Sequence, residues 1–576
     1  MRTIHKMLLK GVPVAILCLA GLLMNIPPLT AQDRLMDILQ DELEREMIAL
    51  QSQETPPYFI SYAVSDVHQT SVSASFGALT ESESSDHRLL SVIVRVGNYQ
   101  MDNFHELRDD PFDQFMVRYG GFLRIPIQND PEAIRAILWQ ETNREYRQAV
   151  ERFTKVKANV AVKVAEEDTS ADFSRLSEPT VYYEQPVNIE TLLSDRSLWE
   201  TKIKTYTRPF LDNADIYDAQ ATFSFTVERK YLVTTEGTRL AQNLSYSRLI
   251  INAFIKSDDG MELPLYRSYF AFKPDGLPDD QTILDDVGTM MAKLDALQDA
   301  PIVDPYTGPA ILSGRAAGVF FHEVFGHRVE GHRQKSEEEG QTFKNKVGER
   351  ILPQDFRVTF DPANRRFDGQ DLVGYYLYDD EGVRARSVTV VDSGVFKAFL
   401  MSRSPIENFP RSNGHGRAQA GYRPVSRQSN MIITASQTVP EDRLRQKLIA
   451  ECKKQGKPFG LLFQDIQGGF TYTGRSLPNM FNVLPIEVYR VYTDGRPDEI
   501  VRGVDLVGTP LVMFSMISDA GDRFDIFTGL CGAESGQVPV SAVAPAMLVS
   551  QIEVQKKTKS QERPPILPRP DTETGK

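Results

Sequence analysis

Two histidines five positions apart, with a glutamate after the first, put the sharpest local constraint on this chain. The string runs His322-Glu323-Val324-Phe325-Gly326-His327. On a regular helix, residues four apart lie about 40° apart around the axis, and residues five apart about 140° apart. Two five-apart imidazoles can meet at one ion only if the helix bulges or ends between them. Gly326, immediately before His327, supplies backbone freedom for that break. Neutral imidazoles of His322 and His327 suit zinc. Glu323 is then free to accept a proton from an attacking water and pass it to the leaving amine. A catalytic zinc needs a third protein ligand and one open position; Glu330, His332, His415 or a cysteine can supply the third. The plainer alternative is a helix whose histidines are satisfied without a metal.

The chain is long enough, at 576 residues, for two or three domains, and its 41% hydrophobic content can fill their cores. A net charge of −13 without a dense Lys/Arg block excludes a nucleic-acid footprint. Three cysteines exclude a disulfide scaffold. Residues 1–31 read as a secretory signal. Arg2, Lys6 and Lys10 precede an uncharged apolar run from Gly11 to Ile26, and Leu29-Thr30-Ala31 is an acceptable cleavage site. Retention as a membrane anchor is the alternative, against which the run is short for a spanning helix and is interrupted by Pro13. The expected location is exported, periplasmic or extracellular.

The pattern predicts an α+β chain in two parts. A mixed N-terminal domain covers 32–300, a β-rich domain carrying the histidine helix covers 301–555, and a disordered tail covers 556–576. Residues 33–50 repeat Leu35, Leu39, Leu43 and Met47 at helical spacing. Tyr58–Val64, Thr70–Leu79 and Leu89–Val96 alternate as strands. Asp130-Pro131 opens a helix whose apolar face takes Ile134, Ile137, Leu138 and Trp139. Ser257–Gly260 reads as a hairpin turn, and residues 283–297 as an amphipathic helix. Arg386–Val391, Asn430–Thr434, Pro485–Tyr492 and Leu511–Ile517 read as strands.

Further motifs carry a resemblance. Tyr306-Thr307-Gly308-Pro309, His322-Glu323 through Gly326-His327, and Glu330-Gly331 resemble the TldD/PmbA, or modulator-of-gyrase, family of metallopeptidases. So do Asp379-Asp380-Glu381-Gly382, Asp392-Ser393-Gly394, Gly414-His415-Gly416-Arg417, Arg502-Gly503, Cys531-Gly532 and Gln537-Val538-Pro539-Val540. The resemblance covers roughly residues 300 to 545. It implies Zn2+ held by His322, His327 and Cys531, with Glu323 as catalytic carboxylate. Because all four residues are present, it implies the catalytic, TldD-like branch, here as an exported variant. It also implies unfolded or extended peptides as substrate, and a homodimer or a heterodimer with a related subunit.

Glu330 is then expected as a ligand, as acceptor for an imidazole N–H or in a plain salt bridge, and His415, in a Gly-rich loop, as a donor to a tetrahedral oxyanion or as an ordinary loop histidine. His332 reads as a solvated or substrate-facing histidine. A disulfide between Cys452 and Cys531 is the alternative for the cysteines. Asp379–Gly382 reads as a turn. Gly468-Gly469 suits a groove where an extended peptide adds to a sheet edge. The expected function is zinc-dependent peptide hydrolysis, in proteolysis or peptide maturation. The alternatives are a zinc-holding peptide-binding subunit of a complex and an exported zinc amidase acting on cell-wall peptides.

Overall fold

The strands β1 (Pro57–Ser75) and β2 (Ala78–Val96) are each nineteen residues long and form one continuous hairpin. At about 3.3 Å per residue each spans roughly 60 Å. The computed structural model describes residues 33–107, 123–161, 168–193, 195–336, 338–475 and 481–557. The expected signal segment, and the expected tail from residue 558 onward, lie outside the described residues. The hairpin corrects the separate strand expected over Thr70–Leu79, because the chain reverses inside it. Phe76 and Gly77 both take positive φ, 47° and 81°, the twist that a tight two-residue hairpin turn requires.

This hairpin sits in a seven-stranded sheet with β3 (Leu123–Ile125), β4 (Val181–Tyr183), β5 (Ile216–Thr234), β6 (Arg239–Lys256) and β7 (Glu262–Ala271). The order is β3-β2-β1-β5-β6-β4, and β7 also pairs with β6. Alternation decides which side is covered. Ile60, Tyr62 and Val64 near one end of β1, and Val72 and Ala74 near the other, share one face and are buried. Helices α1 (Arg34–Leu50) and α2 (Pro131–Ala161) close the first end, while α3 (Arg196–Thr207) and α4 (Asp280–Gln298) close the second. Trp139 departs from the expected face. It follows Leu138 by one residue, which carries it about 100° around the helix, and it is 52% exposed.

The second sheet has eleven strands. It comprises β8 (Tyr306–Leu312), β9 (Phe356–Phe360), β10 (Val388–Asp392), β11 (Val395–Phe396), β12 (Asn430–Ala435), β13 (Phe459–Thr471), β14 (Phe481–Tyr492), β15 (Glu499–Val501), β16 (Val504–Gly508), β17 (Ile517–Ala533) and β18 (Gly536–Lys556). The long β18 pairs with β12, β16, β17 and β8, and the pairings β18-β16-β14-β13-β8-β18 close a ring. Leu511–Ile517, expected as a strand, instead contains a short helix over Pro510–Ser515. Pro510 stands at its first turn, where a missing N–H costs nothing.

Helix α5 (Gly314–Val324) packs across β18, β13 and β17, and all its residues but Arg315 are buried. An added Cβ on Gly314 would lie 2.4 Å from the Ala544 carbonyl oxygen, so helix and strand approach too closely for a side chain there. Around α5, Phe321 and Phe325 meet Phe514 at centroid distances of 5.2 and 5.7 Å, and Phe320 meets Phe481 at 5.7 Å. Such pairs each contribute about 0.5–1.5 kcal/mol beyond area burial and fix the helix that carries His322.

Candidate metal centre

Ser313 caps α5 by accepting from the Ala316 N–H at 3.1 Å, and the helix ends at Val324. His327 then lies in a single tight turn, Gly326–Val329. The break between the two histidines therefore takes the form that their spacing demands. Gly326 serves it differently from expected. Its φ is not positive; instead, an added Cβ would lie 1.9 Å from Oε1 of Gln428. The Gln428 amide packs on the bare glycine and donates to the His322 carbonyl at 3.3 Å. Arg328 donates to the carbonyls of Glu323 and Val324 at 3.0 and 3.1 Å, meeting acceptors that the helix end leaves open.

Folding brings Cys531 to this turn. It lies near the end of β17, opposite Val538 of β18, and packs against Val538 and Val540. Its Sγ stands 3.4 Å from Nε2 of His327, and the His322 and His327 ring centroids are 5.1 Å apart at 78°. The donor atoms of His322, His327 and Cys531 all lie within 4.8 Å of one another, and all three residues are buried. Cys452 is far from this group in role. It is a free thiol in the apolar cluster with Leu444 and Leu448, and both cysteines are unpaired by disulfide.

The donor set fits a zinc-type ion. Bond lengths of about 2.0–2.1 Å to nitrogen and 2.3 Å to sulfur in a tetrahedron separate N and S donors by roughly 3.6 Å, close to the gap seen here. Burial alone would raise the Cys531 thiol, but His327, His322 and Arg427 outweigh it and hold it well below the ordinary thiol range. Burial would likewise lower His327, yet Cys531 and Glu330 raise it well above the usual imidazole value. A thiolate and a charge-demanding imidazole side by side are suited to a cation.

Glu330 does not join the donor cluster. Its Oε2 faces Nδ1 of His327 at 3.4 Å and accepts from Nε of Arg333 at 2.9 Å. Burial opposes its charge, but His327, Arg333 and Arg427 hold it down at about 2. His415 is corrected as a possible donor to substrate. It is fully buried between Asn413 Oδ1, 3.1 Å from Nδ1, and Ser429 Oγ, 3.2 Å from Nε2, and does not line the groove described next. His332 is neither a ligand nor solvated; its Nε2 is paired with Glu534.

His322, Glu323, His327 and Cys531 open on a groove of about 900 Å³. One wall is Gly469–Arg475 and the other Leu530–Glu534. Gly469 is bare where it faces Glu323: an added Cβ would lie 2.9 Å from the Glu323 Cγ. Several supports escaped sequence reasoning. Arg427 donates to the carbonyls of Cys531 and Gly536 at 2.5 and 2.9 Å and to Ser535 Oγ at 2.7 Å, pinning the Cys531 hairpin. Arg333 joins Glu330, Glu339 and Glu534. Apart from Glu330 and Arg333, three residues apart, no local spacing signals these contacts.

Two imidazoles, a thiol held low and an adjacent carboxylate line one groove, residue types that metal-dependent hydrolases combine. Residues 305–556 match the family model of the PmbA/TldA metallopeptidase C-terminal domain. A metalloprotease of Methanocaldococcus jannaschii is 27% identical over 231 residues, 40% of this chain and 47% of that protein. A metalloprotease of Archaeoglobus fulgidus is 29% identical over 239 residues, 41% and 51% of the two chains. A zinc metalloprotease TldD homolog of Saccharolobus solfataricus is 26% identical over 250 residues, 43% and 51% of the two chains. The matches span about half the length of these relatives. Among solved structures, TldE from Thermococcus kodakarensis aligns with a TM-score of 0.59 at 14% identity, covering 90% of this chain and 100% of that one. A Thermotoga maritima protein described as a modulator of a DNA gyrase aligns at 0.56 and 14%, covering 89% and 100%. The chain shares their two-domain α+β fold.

Proposed function

We propose that this chain is an exported zinc metallopeptidase of the catalytic, TldD-like kind, hydrolysing peptide bonds in unfolded or extended peptides. The observation that carries it is the convergence of His322, His327 and Cys531 donors within 4.8 Å, with Glu323 in the same groove. His322, His327 and Cys531 would hold the ion, leaving a position open to the groove. When bound, zinc supplies Lewis acidity toward a carbonyl oxygen and acidifies water. Glu323, on the residue after a ligand, accepts the proton of the attacking water and returns it to the leaving amine nitrogen. Glu330 would accept a hydrogen bond from the Nδ1–H of His327 and so leave Nε2 unprotonated for the metal.

The groove also supports an extended substrate. Apart from one bridge of Gly521 to Val439 near its start, β17 pairs with β18 alone among the described residues, so its other edge carries no strand where Leu530 to Ala533 line the groove. Main-chain pairing along that edge reads no side chains, and sequence preference is expected to be weak. A pool of unstructured peptides incubated with zinc-loaded wild type, and separately with Glu323→Ala, tests the reading by mass spectrometry. Fragments from wild type alone are expected. Fragments from neither chain would instead favour a zinc-holding binding subunit, and cleavage confined to cell-wall peptides would favour the amidase.

A further inference from the structure

Behind the segment that carries His327, the first sheet and loops of the C-terminal part line a second cavity of about 190 Å³. Its N-terminal wall is the face of the first sheet opposite the helices, with Phe59 and Arg95, joined by Phe104 and Phe173. Its C-terminal wall includes Glu381 and His332. Interdomain cavities with apolar walls and a few convergent polar groups are the usual form of a small-molecule site.

Three polar groups here have unused capacity. Arg95 is 9% exposed; its Nη1 donates to Asp102 at 2.6 Å, but its Nε has no partner. Glu381 accepts the Arg403 N–H at Oε2, at 2.6 Å, and among the described residues its Oε1 accepts none. Nδ1 of His332 is buried and also has no partner. A buried donor left unmatched costs about 1–3 kcal/mol, and native proteins keep few of them. The Arg95 guanidinium lies 3.8 Å from the Phe173 ring centroid and 4.3 Å from that of Phe104, so charge and aromatic surface adjoin.

A guanidinium, a carboxylate and phenyl walls together complement a zwitterion with an apolar side chain. The lining carries further charge of both signs, among it Lys335 and Arg403 against Asp172 and Asp380, so a simple anion or a simple cation meets like charge and an apolar solute leaves Arg95 and Glu381 unmatched. We propose that this cavity binds a free apolar L-amino acid, its carboxylate at Arg95, its ammonium at Glu381 and its side chain among the phenylalanines. The inference does not rest on the peptidase reading, although such a molecule is of the class that peptide hydrolysis releases. Ser336 lines both this cavity and the metal-site groove, so a ligand here abuts the segment that shapes the groove.

Isothermal titration of the full-length chain with L-phenylalanine, L-phenylalaninamide and N-acetyl-L-phenylalanine tests it. The amino acid is expected to bind one per chain, and each derivative at least tenfold more weakly. Glu381→Gln should weaken L-phenylalanine tenfold or more without changing the N-acetyl compound. Val425→Trp, which adds bulk to the cavity wall, should abolish binding. Glu323→Ala should bind as wild type does, which separates this inference from the peptidase reading. No binding by wild type, equal binding of all three compounds, or binding that survives Val425→Trp but is lost on chelation would each overturn it.

Discussion

Oε2 of Glu330 stands 3.4 Å from Nδ1 of His327, while Sγ of Cys531 stands 3.4 Å from Nε2 of the same ring. One imidazole is thus held between a carboxylate and a sulfur; in the proposed function the carboxylate would fix its tautomer and the sulfur would share its ion. Glu330→Gln keeps the shape and removes the charge. It is expected to weaken zinc retention roughly 10–100-fold. Competition with a chromophoric chelator measures this, and unchanged affinity would show that Glu330 only neutralises Arg333.

Gly469→Ala places a methyl group 2.9 Å from the Glu323 Cγ and 2.8 Å from the Asn482 carbonyl oxygen. Displacing the proton-accepting carboxylate should lower kcat about tenfold to a hundredfold. Zinc content should stay at the wild-type value, because no ligand is touched. Equal turnover by both proteins would mean that Glu323 moves freely without penalty.

Gly326→Ala drives a methyl group into the Gln428 amide, at 1.9 Å from Oε1 before relaxation. The amide must leave the His322 carbonyl. Overpacking of this kind costs about 1–3 kcal/mol. Urea denaturation of the two chains gives the difference; no loss of stability would contradict the close-approach account of this glycine.

His415 carries a pH signature separate from the metal. Burial first, and then Arg417, pushes its imidazole down to about 3, so the folded chain keeps it neutral where the unfolded chain protonates it at about 6.5. The stability this contributes is present above pH 6.5 and is lost as pH falls toward 3, at up to about 1.4 kcal/mol per unit. Between pH 6.5 and 4.5, wild type should lose stability more steeply than His415→Gln. Parallel slopes would place the acid sensitivity elsewhere.

The helix break between His322 and His327 was legible from their spacing, because angular position on a helix follows from residue count alone. Cys531 was legible only through resemblance: it lies 204 residues from His327, and no periodicity links them. Separation in sequence also hid Arg427, which lies 104 residues from the Cys531 whose carbonyl it meets. Gly326 was singled out for the wrong property, since a sequence shows that a side chain is missing but not what fills its place. Long strands were underestimated where the hairpin turn at Phe76-Gly77 lay inside an apparently continuous alternation. Leu511–Ile517 failed because a short apolar run does not itself distinguish helix from strand.

The most direct test is X-ray absorption at the zinc edge of the zinc-loaded full-length chain. One sulfur at about 2.3 Å and nitrogen or oxygen neighbours at about 2.0–2.1 Å are expected, with multiple scattering from two imidazoles. Cys531→Ala should remove the sulfur shell. A wild-type spectrum without sulfur, or one unchanged in Cys531→Ala, would contradict the His322, His327 and Cys531 centre.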